Sequence, residues 1–149
     1  MNIYLACTVR GDRAGVAAAK AIAARLEYHG HHILTSHLLR DDVEDLEAGV
    51  TEQAVFERDV QWLDACDALV AEASGSSYGV GFEVGYVLAR AGTTGRRVFL
   101  LYDAAKRSSV SRMVAGNNDR CCTTFAYDSL AAVERFIEAT NLDQYLAVA

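Results

Sequence analysis

The sequence predicts an α/β protein in which a five-stranded parallel sheet carries helices on both faces. Three observations support this. Short apolar runs alternate with segments whose apolar residues recur at helical spacing, and strands separated by helices pair in parallel. The runs are apolar at consecutive positions, as strands covered on both faces must be. The chain has 149 residues, about the size of one domain, so residues 1–149 read as a single unit.

The elements follow in order. Ile3, Tyr4, Leu5 and Ala6 make residues 2–7 a central strand, with residues 8–13 as the loop behind it. Val16, Ala19, Ile22, Ala23 and Leu26 set a helix over residues 14–29, and Gly30 stops it. Residues 32–36 read as a second strand, with His29, His31 and His32 as solvated residues around the turn before it. Residues 40–49, with five acidic side chains, read as a surface loop or lid. Thr51 caps a helix that reaches about Cys66. Residues 68–72 form the third strand, residues 79–91 a helix, and residues 97–102 the fourth strand. A short helix covers residues 109–115, a weak fifth strand residues 123–126, and the last helix residues 128–140, with Leu130, Val133, Phe136 and Ile137 as its apolar face. This order fits a flavodoxin-like or Rossmann-like three-layer sandwich. Ligands in such sheets bind beyond the carboxyl ends of the strands, so the loops at residues 8–13 and 72–81 are expected to meet.

Composition narrows the function. With 52% apolar and 23% charged residues, the chain reads as an ordinary soluble protein. A net charge of −6 argues against polymeric nucleic acid as partner, while an anionic small molecule remains compatible. Cys7, Cys66, Cys121 and Cys122 form no C-x-x-C pair and have no histidine at metal-ligand spacing, so they read as reduced thiols, with no metal and no cofactor expected. No apolar run approaches ~18 residues, and no charged segment followed by an apolar one opens the chain. A cytoplasmic protein with no membrane partner is the expectation.

The chemistry concentrates after the third strand. Ser74, Gly75, Ser76, Ser77, Gly79 and Gly81 make a loop of small residues that turns into a helix, and such residues let backbone N–H groups approach an anion. The pattern is neither the dinucleotide G-x-G-x-x-G nor a P-loop. Glu83 borders the apolar stripe of that helix, formed by Val80, Val84, Val87, Leu88 and Ala91. It reads either as a first-turn glutamate favoured by the helix dipole or as a carboxylate held beside the anion site. Asp59 lies one turn from Val55 and Phe56 and one turn from Trp62 and Leu63, where an unpaired charge is costly. It is either paired, with Arg58 or Arg10, or functional. Tyr4, at the carboxyl end of the first strand, is a core aromatic or a phenol bonded to a catalytic carboxylate. His37 is the one histidine placed where a ligand can stand. Ser111 either caps a short helix or donates to phosphate.

Five ordered segments together resemble a known family. They are residues 4–11, residues 34–37, the E-x-D-x-x-W-L pattern of residues 57–63, residues 70–85, and Val110, Ser111, Arg112 and Met113. This set resembles the Rcl-like 2′-deoxynucleoside 5′-phosphate N-hydrolases of the nucleoside 2-deoxyribosyltransferase superfamily. The resemblance covers nearly the whole chain. It implies that Glu83 attacks C1′ of the sugar, that Tyr4 orients this carboxylate and that Asp59 assists departure of the base. It further implies substrate contacts, chiefly to the 5′-phosphate, from Cys7, Thr8, Val9, Arg10, Gly11, Asp12 and Arg13, and from Ser77 and Gly79. His37 and Ile22 are implied in the nucleobase pocket. Ser111, with Met113 beside it, is implied to reach the site of the neighbouring subunit in a homodimer. Thr8 stands where these proteins often have serine, and Phe82 where tyrosine is common. Ser77 replaces the aspartate typical of transferases that use free nucleosides, and serine tolerates a phosphate that aspartate repels. The resemblance thus implies hydrolysis of the N-glycosidic bond of a (2′-deoxy)nucleoside 5′-monophosphate. The alternative is a nucleoside 2-deoxyribosyltransferase that exchanges bases.

Overall fold

The computed structural model describes residues 1–10 and 12–145, without the side chains of residues 143 and 145. Gly11 lies outside the described residues. Strands β1 (Asn2–Ala6), β2 (His32–Ile33), β3 (Ala68–Glu72), β4 (Arg97–Asp103) and β5 (Cys122–Tyr127) form one sheet in the order β2-β1-β3-β4-β5. Every pairing is parallel. The helices are α1 (Val16–Tyr28), α2 (Val43–Glu47), α3 (Glu52–Ala65), α4 (Tyr78–Thr94), α5 (Arg112–Ala115) and α6 (Leu130–Thr140).

The period of two along each strand sorts its side chains between two cores. Ile3, Leu5, Val70, Phe99 and Leu101 pack with α1 and α6 on one face. Tyr4, Ala6, Leu69, Ala71 and Leu100 pack against Leu63 of α3 and Val80, Val84 and Val87 of α4 on the other. The expected three-layer sandwich is therefore the observed one. Among the described residues no helix is long and apolar enough to cross a membrane.

The helix ends follow from local chemistry. Thr51, Ser77 and Ser129 accept hydrogen bonds from Ala54, Val80 and Ala132 N–H and open α3, α4 and α6. Gly95, at φ 71°, closes α4 in the left-handed conformation that glycine adopts without a Cβ penalty.

Three expectations need correction. The second strand is only two residues long, because the Thr35 hydroxyl bonds both N–H and C=O of Leu5 and takes the place of a ladder partner. The chain then enters a 3₁₀ turn, Ser36–Leu39. Residues 40–49 are not all loop: Val43, 1% exposed, anchors α2 into the small cluster around Cys7, Ala19 and Leu38. His31 is buried rather than solvated, with Nδ1 3.5 Å from the amino terminus.

Candidate active site

The crossovers after β1 and β3 leave on opposite faces of the sheet, so a crevice opens between the carboxyl ends of these two strands. A cavity of about 670 Å³ occupies it, walled by the loop after β1, by α2 and α3, and by the first turn of α4. The loops meet as expected. A Cβ on Gly75 would lie 2.5 Å from the Asp12 carbonyl oxygen and 2.7 Å from Thr8 Oγ1, so only glycine allows this approach.

Tyr4 and Glu83 meet at the floor. Tyr4 points to the α3–α4 face and is fully buried, and its phenol donates to Glu83 Oε1 over 2.7 Å. Glu83 is on the second turn of α4, bordering the helix stripe as its spacing implies, and it lines the cavity. Burial pushes its carboxyl up to about 7; the Tyr4 hydrogen bond opposes this shift and the Asp59 charge adds to it. Burial, then the Glu83 and Asp59 charges, push the Tyr4 phenol far above its usual range, so it stays a donor.

Asp59 also lines the cavity, and it is paired, as its place on a half-buried face requires. Arg58 Nε donates to its Oδ1 over 2.8 Å, and Arg58 Nη2 donates to Glu47 Oε1 over 2.8 Å.

The hydroxyl-bearing side of the site comes from two loops. Thr8 is 4% exposed, and its Oγ1 is buried without a hydrogen-bond partner. Ser77 Oγ accepts from Val80 N–H, which leaves its proton free to donate. Cys7, Val9, Arg10 and Gly79 line the cavity with it. Cys7 is a buried thiol that burial pushes up to about 11, so it contributes surface rather than a nucleophile. Arg10 is exposed at the mouth.

Other candidates stand elsewhere. Ile22 is fully buried between α1 and the sheet and does not line the cavity, because its position on α1 faces the strands. Arg13 is committed to the carbonyl oxygens of Val9, Leu38 and Arg40, so it pins the loops and is not a free cation. Asp12 caps Ala14 N–H and pairs with Lys106 at 3.0 Å, which links the loop after β1 to the 3₁₀ turn after β4. His37 reaches the cavity only through Glu47, 3.4 Å from its Nε2, and lies 5.4 Å from the Trp62 ring. Burial, then Arg58, push its imidazole below the usual range. Ser111 opens α5 without a side-chain cap bond, and Met113 is 87% exposed. Both line a second cavity of about 490 Å³, which shares Ser76, Ser77 and Tyr78 with the first.

A buried polar cluster has no counterpart in the sequence reading. Glu72 closes β3 at 1% exposure and accepts from Ser74 N–H, Ser74 Oγ–H and Tyr127 Oη–H. Ser74 Oγ in turn accepts from Asp103 N–H at 2.7 Å. A carboxylate ending an otherwise apolar strand was the available signal. Arg58 was read as a partner of Asp59 and is one, whereas Glu47 was hidden inside an acidic stretch. Among the described residues no group of three or more His, Cys, Asp or Glu could hold a metal ion.

A carboxylate poised near neutrality, oriented by a phenol and set beside hydroxyl and amide donors, suits nucleophilic attack on an anionic ligand. Known proteins resemble this chain along most of its length. A protein from Thermofilum pendens named "Putative 2′-deoxynucleoside 5′-phosphate N-hydrolase 1" is 45% identical over 78% of each chain. A 5-hydroxymethyl-dUMP N-hydrolase from Danio rerio is 35% identical over 78% of each chain. Among solved structures, the Clostridium botulinum CMP N-glycosidase BcmB has the same fold at TM-score 0.65 and 16% identity, over 93% of this chain and 98% of that one. The family description Nucleoside 2-deoxyribosyltransferase matches residues 3–142. With that match spanning both loops, Tyr4, Asp59 and Glu83, the chain belongs to the nucleoside 2-deoxyribosyltransferase family.

Proposed function

We propose that this enzyme is an N-glycosidase that hydrolyses (2′-deoxy)nucleoside 5′-monophosphates to free base and (deoxy)ribose 5-phosphate. The observation that carries the reading is the Tyr4–Glu83 pair on the floor of a cavity lined by Ser77, with the unpartnered Thr8 hydroxyl buried in the adjoining loop. The names of the two N-hydrolase relatives support the substrate class.

Ionised Glu83 attacks C1′ through one oxygen. The N-glycosidic bond breaks with its electron pair on the base nitrogen, which gains a proton with the assistance of Asp59. The transition state is oxocarbenium-like, and the carboxylate stabilises it. Water then attacks C1′ of the glycosyl ester, loses a proton, and releases Glu83. Thr8, Arg10, Ser77 and the amides around Gly79 hold the 5′-phosphate. No metal or organic cofactor enters. Chromatography of base release from each monophosphate and its nucleoside tests this reading: release confined to monophosphates supports it, and preference for nucleosides refutes it.

The family match favours a second reading, transfer of the sugar to another base. Incubation of a deoxynucleotide with a foreign base separates the two by whether an exchanged nucleotide forms.

The working form in this proposal is a cytoplasmic homodimer in which Ser111 of each copy completes the other's phosphate site. Tyr78 and Met113 are exposed apolar side chains that line the same cavity as Ser111 and supply the contact. Sedimentation tests it: Met113→Glu should give a monomer with weakened nucleotide binding, and a wild-type monomer rules the dimer out.

A further inference from the structure

We propose that Arg58 is a positioning residue that ties the α2 wall of the cavity to Asp59, so that the nucleobase end of the site and the orientation of this acid are set together. The inference rests on the reading of the cavity as a nucleotide site.

Adjacent residues on a helix point about 100° apart and do not face each other. The bond from Arg58 Nε to Asp59 Oδ1 is therefore no default surface pair of α3. It forms because the guanidinium lies over the Trp62 ring, one turn on, at 5.0 Å. In that position its second arm reaches Glu47, the last residue of α2. One planar fork thus holds two carboxylates that both line the cavity.

The tie matters to α2 because a helix of five residues cannot hold itself. Val43 anchors its first turn, and Glu47 anchors its last through Arg58. It matters to Asp59 because the Arg58 Nε–H holds its Oδ1 and so fixes how the carboxylate faces the cavity. In this orientation Asp59 supports protonation of the leaving base by a water molecule, whose hydroxide takes up the proton that the hydrolytic water later loses.

Removing the guanidinium leaves Asp59 and Glu47 uncompensated. Asp59 is faced by Arg58 on its own helix, Glu47 on α2, His37 on the 3₁₀ turn, Tyr4 on β1 and Glu83 on α4, with Arg10 at the mouth. Glu83, already beside one carboxylate, then keeps its proton to higher pH.

The test compares the wild-type protein with Arg58→Gln, Arg58→Lys and Glu47→Gln. Trp62 is the sole tryptophan, so its emission reports on the tie without any ligand. In the free proteins Arg58→Gln and Glu47→Gln both shift that emission, and wild-type emission in both overturns the proposal. With 2′-deoxynucleoside 5′-monophosphates, Arg58→Gln lowers kcat/KM by about tenfold or more and moves the acid limb of the rate profile upward. Arg58→Lys recovers little, because a point ammonium cannot hold both carboxylates. Wild-type kinetics and an unmoved limb in Arg58→Gln overturn the proposal. Absence of base release by the wild-type protein defeats the hydrolase reading instead, and the ligand-free Trp62 emission still decides the role of Arg58.

Discussion

The phenol of Tyr4 and the carboxylate of Glu83 are 79 residues apart in sequence and 2.7 Å apart in the fold. The bond opposes the effect of burial on Glu83, whose carboxyl is raised from 4.5 to about 7. A nucleophile must be ionised, so turnover should rise with pH through about 7. Glu83→Ala should lose turnover by about 10³-fold or more. Near-normal base release from that variant would end the assignment.

The same shift carries a sign for stability. A carboxyl whose folded pKa exceeds its unfolded value contributes stability at low pH that is lost as pH rises through the folded value. The window here runs from 4.5 to about 7. Above it the ionised, desolvated Glu83 costs on the order of 3 kcal/mol, at about 1.36 kcal/mol per pKa unit. Denaturant unfolding of Glu83→Gln should show a clear gain over wild type at pH 8 and little difference at pH 4.5. Equal gains at both pH values would show that burial does not raise this group.

Tyr4→Phe keeps the buried ring and removes only the donor. Because the hydrogen bond lowers the Glu83 pKa, its loss should move the acid limb of the rate profile to higher pH. The rate on the plateau should fall by about 10- to 100-fold, the scale of a misoriented catalytic group. A limb that stays in place would place the phenol outside the proton balance of the site.

Thr8 offers a test in which stability and binding part company. Its hydroxyl is buried and unpaired, so Thr8→Val removes an unsatisfied group of the same shape. Replacing an unpaired buried hydroxyl is neutral or stabilising by about 1 kcal/mol. Nucleotide KM should nevertheless rise by about tenfold, while nucleosides lacking the phosphate should be unaffected. An equal loss on both ligands would remove Thr8 from the phosphate site.

Legibility in the sequence followed the length scale of the forces. The strand–helix alternation and the cap at Thr51 depend on neighbours within a few residues, so the sheet and its helices were readable. Glu83 and Asp59 were visible because each stands beside an apolar helix stripe. The two-residue β2 was not, since it depends on Thr35 meeting Leu5, 30 positions away. Ile22 came from the resemblance, and the packing of α1 on the sheet buries it. The Arg58–Asp59 pairing was readable within α3, but Glu47 joins it only when α2 is set against α3.

Glu72 and Gly15 were silent for the same reason, and they give the sharpest test of how the loop after β3 is held. Gly15 precedes α1, and a Cβ there would lie 1.6 Å from Glu72 Oε2. Glu72 in turn holds Ser74, which fixes the turn into Gly75 and Ser77. Gly15→Ala should therefore destabilise the protein by about 2 kcal/mol or more, because the buried carboxylate has no room to retreat. Glu72→Ala should cost about 3 kcal/mol, since it orphans the Ser74 and Tyr127 hydroxyls and leaves a void. The double variant should cost far less than the sum, because truncation at position 72 leaves the space that the new methyl needs. Denaturant unfolding of the four proteins closes the cycle, and strict additivity would mean that Glu72 does not occupy the space beside Gly15.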